Sequence, residues 1–168
     1  MADANILIIN HEKTVKILTR MAYQILENNL EEKELIIVGI HGRGFSVARM
    51  LAARLGEISP IKISLHELKL DKDQPKADEI TMEPDTKVKG KTVVIVDDVL
   101  NSGRTLIYSF IPFLTHGVKN IQTAVLIDRN HKCFPVAADY VGMSLATTSQ
   151  EHVNVEINKQ GQVSAYLN

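Results

Sequence analysis

The sequence is short of several things. It has one cysteine, Cys133, in 168 residues. No disulfide can form within the chain, and a lone thiol among scattered histidines builds no structural zinc site, so Cys133 reads as a bystander. Charge of one sign is missing as well: 19 Lys+Arg stand against 20 Asp+Glu, a net charge of -1. That argues against a general, charge-driven grip on nucleic acid, while leaving room for a local basic patch. No apolar run approaches the roughly 20 residues of a membrane helix. The opening MADANILIIN carries an early acid and no basic stretch, so no secretory signal is expected. A cytoplasmic enzyme or regulator without a membrane partner is the expectation. Two phosphate-binding motifs are absent too. No GxxxxGK[ST] occurs, and a GxGxxG begun by Gly42 and Gly44 fails at Val47.

What is present is the composition of an ordinary globular protein, with 45% hydrophobic and 23% charged residues. The length fits one domain over 1–168 with its own core, and no repeat or linker divides it. Asn10 is placed to cap a helix over 11–29, in which Val15, Leu18, Ala22 and Ile25 recur at helical spacing. Residues 34–40, 91–98 and 121–128 are short apolar runs that read as buried strands. Residues 61–68 alternate and read as a strand nearer an edge. Residues 45–55 predict a helix stopped by Gly56, and 103–117 a helix kinked at Pro112. The polar stretch 69–90 reads as a long loop, and Lys87, Lys89 and Lys91 as a solvated strand entry. VNVEIN and QVSAYL suggest a terminal hairpin. Alternating strands and helices predict an α/β fold, a mainly parallel sheet flanked by helices with a small C-terminal hairpin or hood. In such sheets ligands bind beyond the C-terminal strand ends. That is where His41-Gly42-Arg43-Gly44, Asp97-Asp98 and Asp128-Arg129 fall.

The stretch VVIVDDVLNSGRTL, residues 93–106, carries the chemistry. Backbone amides between a strand end and a helix start attract anions. Gly103 permits close approach, and Ser102 and Thr105 add hydroxyl donors. A phosphate monoester needs such a cradle. The adjacent acids Asp97 and Asp98 would repel that phosphate, but they accept hydrogen bonds from sugar hydroxyls and hold Mg²⁺ through water or through the ligand. Residues 97–105 therefore read as a ribose-phosphate site. The bland alternative is that the acids merely cap a turn.

A strand, two acids, two apolar residues, a variable position and then Ser/Thr-Gly-Arg/Lys-Thr is the signature of the type I phosphoribosyltransferases, and residues 93–105 resemble it in full. ILTRMAYQ at 17–24, GIHGRG at 39–44, LIDRNH at 126–131 and ADYVG at 138–142 resemble the bifunctional pyrimidine-operon attenuator/uracil phosphoribosyltransferase group. The resemblance implies transfer of ribose 5-phosphate from phosphoribosyl pyrophosphate (PRPP) to a nucleobase, most simply uracil, with Mg²⁺. It implies that His41, Gly42, Arg43 and Gly44 hold the pyrophosphate, with Asn101, Ser102, Gly103, Arg104 and Thr105 around the 5′-phosphate. Asp97, Asp98 and Arg43 become the catalytic set, with the metal on Asp97 and Asp98. Asp128, Arg129 and Tyr140 become candidates for the base, with Met143 beside Tyr140 in a hood; an ion pair between Asp128 and Arg129, and core packing for the other two, are the plain alternatives. At least a homodimer is implied.

Two departures from the family pattern matter. Position 101 is an acid in the 6-oxopurine enzymes; Asn101 cannot serve as a base, which lowers the case for hypoxanthine or guanine. The HELKLDKDQP stretch at 66–75 lacks the Tyr-Arg-Asp-Asp expected of the uracil group. Either Lys69, Lys72 and Lys76 substitute as pyrophosphate contacts, or the loop has lost its catalytic role. In the second case the chain is a PRPP- or nucleotide-sensing regulator that binds RNA. Thr19, Arg20, His131 and Lys132 match positions of the group's RNA-facing surface, but the neutral total charge gives RNA binding no support. A receiver-like signalling domain is disfavoured, because its acid pair would follow the first strand.

Overall fold

The structure, a computed structural model, describes residues 5–83 and 87–168. The described residues form two β-sheets. The larger has six strands: β2 (Glu34–Ile40), β3 (Lys62–Lys69), β4 (Thr81–Glu83), β5 (Thr92–Leu100), β6 (Asn120–Asp128) and β7 (Tyr140–Ser144), in the order β4-β3-β2-β5-β6-β7. All neighbours are parallel except the short β4, which runs antiparallel on β3. Residues 35–40 and 92–98 are buried on both sides, as the unbroken apolar runs require. One face carries α1 (His11–Asn28) and α2 (Arg43–Ile58), packed on Leu35, Ile37, Val94 and Val96. The other carries α3 (Arg104–Tyr108) and α4 (Ile111–Leu114), whose Leu106 and Phe113 meet Ile36, Val38 and Ile95.

The smaller sheet joins the chain's ends. β1 (Ile6–Ile9) pairs with β9 (Val163–Leu167), which pairs with β8 (Val153–Ile157), all antiparallel. Val155, Val163 and Ala165 pack into the same core as α1. The hairpin is thus as expected, and its β1 partner is an addition.

Several boundaries differ from the sequence expectation. Asn10 does cap α1, its Oδ1 accepting from the Lys13 amide at 2.9 Å. But α2 begins at Arg43 and runs through Gly56 to Ile58. A glycine costs a helix about 1 kcal/mol and does not by itself end one. The stretch 69–90 is not all loop: it holds a 3₁₀ turn, Ala77–Glu79, and β4. The helix expected over 103–117 is two short helices. Pro112 has no N–H to give the Tyr108 carbonyl, so it sits in the first turn of α4 instead of kinking one long helix. Lys91 is not simply solvated. It pairs with Glu34 at 2.9 Å, where Lys62 at 3.2 Å and the Ser64 hydroxyl at 2.9 Å also converge.

Candidate active site

β2 is the topological centre of the parallel sheet: the chain leaves it through α2 to β3 on one side and returns through β5 on the other. Loops leaving neighbouring strands in opposite directions open a crevice at the strands' C-terminal ends. The loop after β2 and the loop after β5 border a cavity of about 370 Å³ there, lined by Arg43, Lys72, Asp97, Asp98 and the run from Asn101 to Thr105.

The acid pair lies inside β5, because the strand continues to Leu100 and carries Asp97 and Asp98 within its ladder. Asp97 is 4% and Asp98 8% exposed. Burial, and then the like charge of Asp98, push the Asp97 carboxyl up to about 8. Its Oδ1 accepts the Asp98 amide at 2.9 Å. Lys72 reaches over from the far side of the cavity and sets its Nζ 3.3 Å from Asp97 Oδ1 and 4.0 Å from Asp98 Oδ1. A cation is therefore accommodated at this pair. Among the described residues no cluster of three or more His, Cys, Asp or Glu is poised for a metal. Any Mg²⁺ here would rest on these two carboxylates and complete its oxygen shell from water or ligand.

Two glycines shape the neighbouring loop. Gly42 has φ of +88°, open to glycine at little cost. Gly44 is buried against the acid pair; a Cβ there would lie 2.5 Å from Asp97 Oδ1 and 3.1 Å from Asp97 Cα. The first loop thus touches the acid strand directly. His41 turns aside to Glu67, 2.7 Å away. Arg43 is exposed on the cavity wall.

The second loop is held from below. The Ser102 carbonyl accepts from the amides of Cys133 and Phe134 at 2.8 and 3.0 Å. Gly103 turns with φ of +83°. Arg104 donates to the Asp73 carbonyl at 3.2 Å and lies over the Phe134 ring. α3 has five residues, so its dipole is small; the anion cradle rests on loop amides, the Ser102 and Thr105 hydroxyls and Arg104.

The three base candidates do not come together. Tyr140 is 3% exposed and belongs to a network at the opposite end of the sheet. Its hydroxyl donates to Gln122 Oε1 at 3.0 Å and accepts from Asn28 at 3.1 Å. That is packing, and it takes Tyr140 away from the cavity. Met143 packs against the α1-side core, so the pair forms no hood. Asp128 binds Lys132 at 3.1 Å and the Asn130 amide at 2.8 Å; Arg129 is not its partner. Arg129 donates instead to Asn101 Oδ1 at 2.8 Å, which brings it to the edge of the cavity. Val153, which lines the cavity, and the segment 147–151, which holds Arg129, were not foreseen. The run TTSQEHV has neither periodicity nor an unusual residue to mark it.

The RNA-surface candidates are also engaged within the chain. Arg20 donates to the Gly142 carbonyl at 2.5 Å, and Thr19 binds the Val15 carbonyl and Arg54. His131 bonds the Thr147 carbonyl and Lys132 bonds Asp128.

Comparison with known proteins agrees with this geometry. The model of the phosphoribosyl transferase domain matches residues 7–160. The chain belongs to that family. It is 37% identical over 169 residues to the "Bifunctional protein PyrR" of Alkaliphilus metalliredigens, covering 94% of this chain and 93% of that protein. It is 35% identical over 155 residues to the "Pyrimidine operon regulatory protein" of Lactococcus lactis, covering 90% of each. Among solved structures, a hypoxanthine-guanine phosphoribosyltransferase of Bacillus anthracis superposes with a TM-score of 0.75 at 19% identity, over 96% of this chain and 97% of that one. The fold of this chain is thus shared with a protein whose sequence has diverged widely.

Proposed function

We propose that this phosphoribosyltransferase moves the ribose 5-phosphate of PRPP onto uracil, forming UMP and pyrophosphate, with Mg²⁺. One observation carries the reading. Two loops suited to anions meet at a topological switch point with a buried acid pair between them, so both ends of PRPP and its sugar have matched partners. The 5′-phosphate goes to Ser102, Gly103, Arg104 and Thr105. The ribose hydroxyls go to Asp97 and Asp98. The pyrophosphate goes to Gly42, Arg43 and Gly44 in the turn that His41 opens; the His41 amide and ring are themselves taken by the Leu68 carbonyl and Glu67. Asn101 and the pyrimidine names of the relatives favour uracil over an oxopurine.

The bond that forms joins a base nitrogen to C1 of the ribose; the bond that breaks joins C1 to the pyrophosphate oxygen. Positive charge develops on the sugar and negative charge on the leaving group. Asp97 and Asp98 fix the sugar hydroxyls and face the positive charge, while Arg43 neutralises the departing pyrophosphate. Mg²⁺, held at Asp97 and Asp98 through substrate or water, supplies further charge neutralisation when bound. Lys72 has to leave the acid pair for the sugar to enter. We place the protein in the cytoplasm, acting over residues 1–168 as one domain and at least as a homodimer.

A regulator that senses PRPP or nucleotides is the second reading, favoured by Lys72 lying on the acid pair. The internal partners of Thr19, Arg20, His131 and Lys132 count against RNA on that surface. Pyrophosphate release from PRPP and Mg²⁺, measured across uracil, orotate, adenine, guanine, hypoxanthine and xanthine, separates the readings. Release with uracil above the other bases is expected. Nucleotide binding without release on any base would establish the regulator.

A further inference from the structure

Arg129 is 7% exposed although it follows the last residue of β6. Its guanidinium donates in three directions. Nε goes to Thr147 Oγ1 at 3.0 Å, Nη1 to Asn101 Oδ1 at 2.8 Å, and Nη2 to the carbonyls of Thr148 and Glu151. All four hydrogen-bond acceptors are neutral oxygens, and the Glu151 carboxylate offsets the charge from nearby. Of the four, only Asn101 also lines the cavity, so this one bond links the buried cation to the site.

The effect of that link follows from what a guanidinium lacks. It only donates. The Asn101 amide must therefore turn its oxygen to Arg129 and its NH₂ away. Asn101 is exposed and lines the cavity, and Val153 lines it as well. On the phosphoribosyl reading, Ser102 to Thr105 take the phosphate and Asp97 and Asp98 the sugar. What remains of a nucleotide is its base, and the space left for it is bounded by Asn101 and Val153. We infer that Arg129 is a positioning residue that locks the Asn101 amide with its NH₂ toward the base. Asn101 then selects a base edge carrying an acceptor, a ring carbonyl or an unprotonated ring nitrogen, over an edge that presents an N–H. An acid at position 101 would still meet Arg129 but would offer no donor. The hydrogen-bond polarity of the pocket is thus set by the pair rather than by either residue alone. The inference rests on the phosphoribosyl reading and sharpens it.

Calorimetry with ribose 5-phosphate and with uridine 5′-monophosphate isolates the base, because the two ligands share everything else and neither needs turnover. The wild-type protein should bind the nucleotide about tenfold tighter or more. Asn101→Ala should remove that increment while ribose 5-phosphate, which also reports that the variant is folded, changes by less than about threefold. Arg129→Lys keeps the charge but loses the fork; it should weaken the increment in the same selective way, and raise the KM for base without raising that for PRPP. A purely structural role would weaken both ligands together. The inference is overturned if the increment survives in Asn101→Ala, if both ligands weaken in parallel, or if the wild type binds ribose 5-phosphate and gains nothing from the base. If the wild type binds neither ligand, the phosphoribosyl reading itself falls, and the two failures are distinct.

Discussion

Asp97 is buried beside a second carboxylate, and its folded-state carboxyl is raised from an ordinary 3.8 to about 8. The sign of the consequence is fixed. A raised carboxyl means that the folded state holds the extra proton, so the associated stability is present below pH about 4 and is lost as pH rises to about 8. Asp97→Asn removes this cost and keeps the oxygen that accepts the Asp98 amide. It should stabilise the protein by about 1–2 kcal/mol at pH 8 and leave stability at pH 4 nearly unchanged, read by denaturant unfolding at the two values. The same change should lower turnover by about 100-fold or more, measured as pyrophosphate release. Gly44 gives a second test at this scale. A methyl group 2.5 Å from Asp97 Oδ1 and 3.1 Å from its Cα cannot fit without displacing the Asp97 carboxylate. Gly44→Ala should therefore cost about 1–3 kcal/mol of stability and most of the PRPP affinity, whereas Gly56→Ala, where a Cβ meets nothing within 4 Å, should be neutral or stabilising. Much of this was legible in the letters: adjacent acids after an apolar run demand partners, and Ser-Gly-Arg-Thr after them names an anion. Tyr140 misled because an aromatic ring beside a strand end reads equally well as pocket or core. Only the Gln122 and Asn28 contacts, 18 and 112 residues away in sequence, decide for core.

At the scale of elements, the sheet is pinned at its N-terminal ends as well as at the site. Glu34 on β2 receives Lys91, Ser64 and Lys62, and the hydrogen bond from Lys91 leads in holding its carboxyl down to about 2. The folded value lies below the unfolded 4.5, so this contribution is present above about pH 4.5 and is lost as pH falls toward 2. Glu34→Gln should cost about 1 kcal/mol at pH 7, a fall of roughly 2–4 °C in Tm, and almost nothing at pH 2. The buried parallel strands were readable because burial on both faces leaves unbroken Val/Ile runs. The break between α3 and α4 was not. Pro112 announces a disruption, but whether a helix bends or stops depends on how Leu106 and Phe113 seat on the sheet. β1 escaped for a related reason: four apolar residues specify nothing until β9, over 150 residues later, supplies their hydrogen bonds.

For the whole molecule, the order of strands decides where chemistry can occur. The sequence pattern predicts a parallel sheet and hence a site at the C-terminal strand ends. It does not reveal that β2 and β5 lie side by side, and that adjacency makes two separate loops into one cavity. Isothermal titration of PRPP in the presence of Mg²⁺ tests this directly. The wild-type protein should bind PRPP saturably at one site per chain, and the Asp97→Asn, Asp98→Asn double variant should bind at least about 100-fold more weakly. No binding by the wild type, or equal binding by the double variant, would contradict a sugar-phosphate site built on this acid pair.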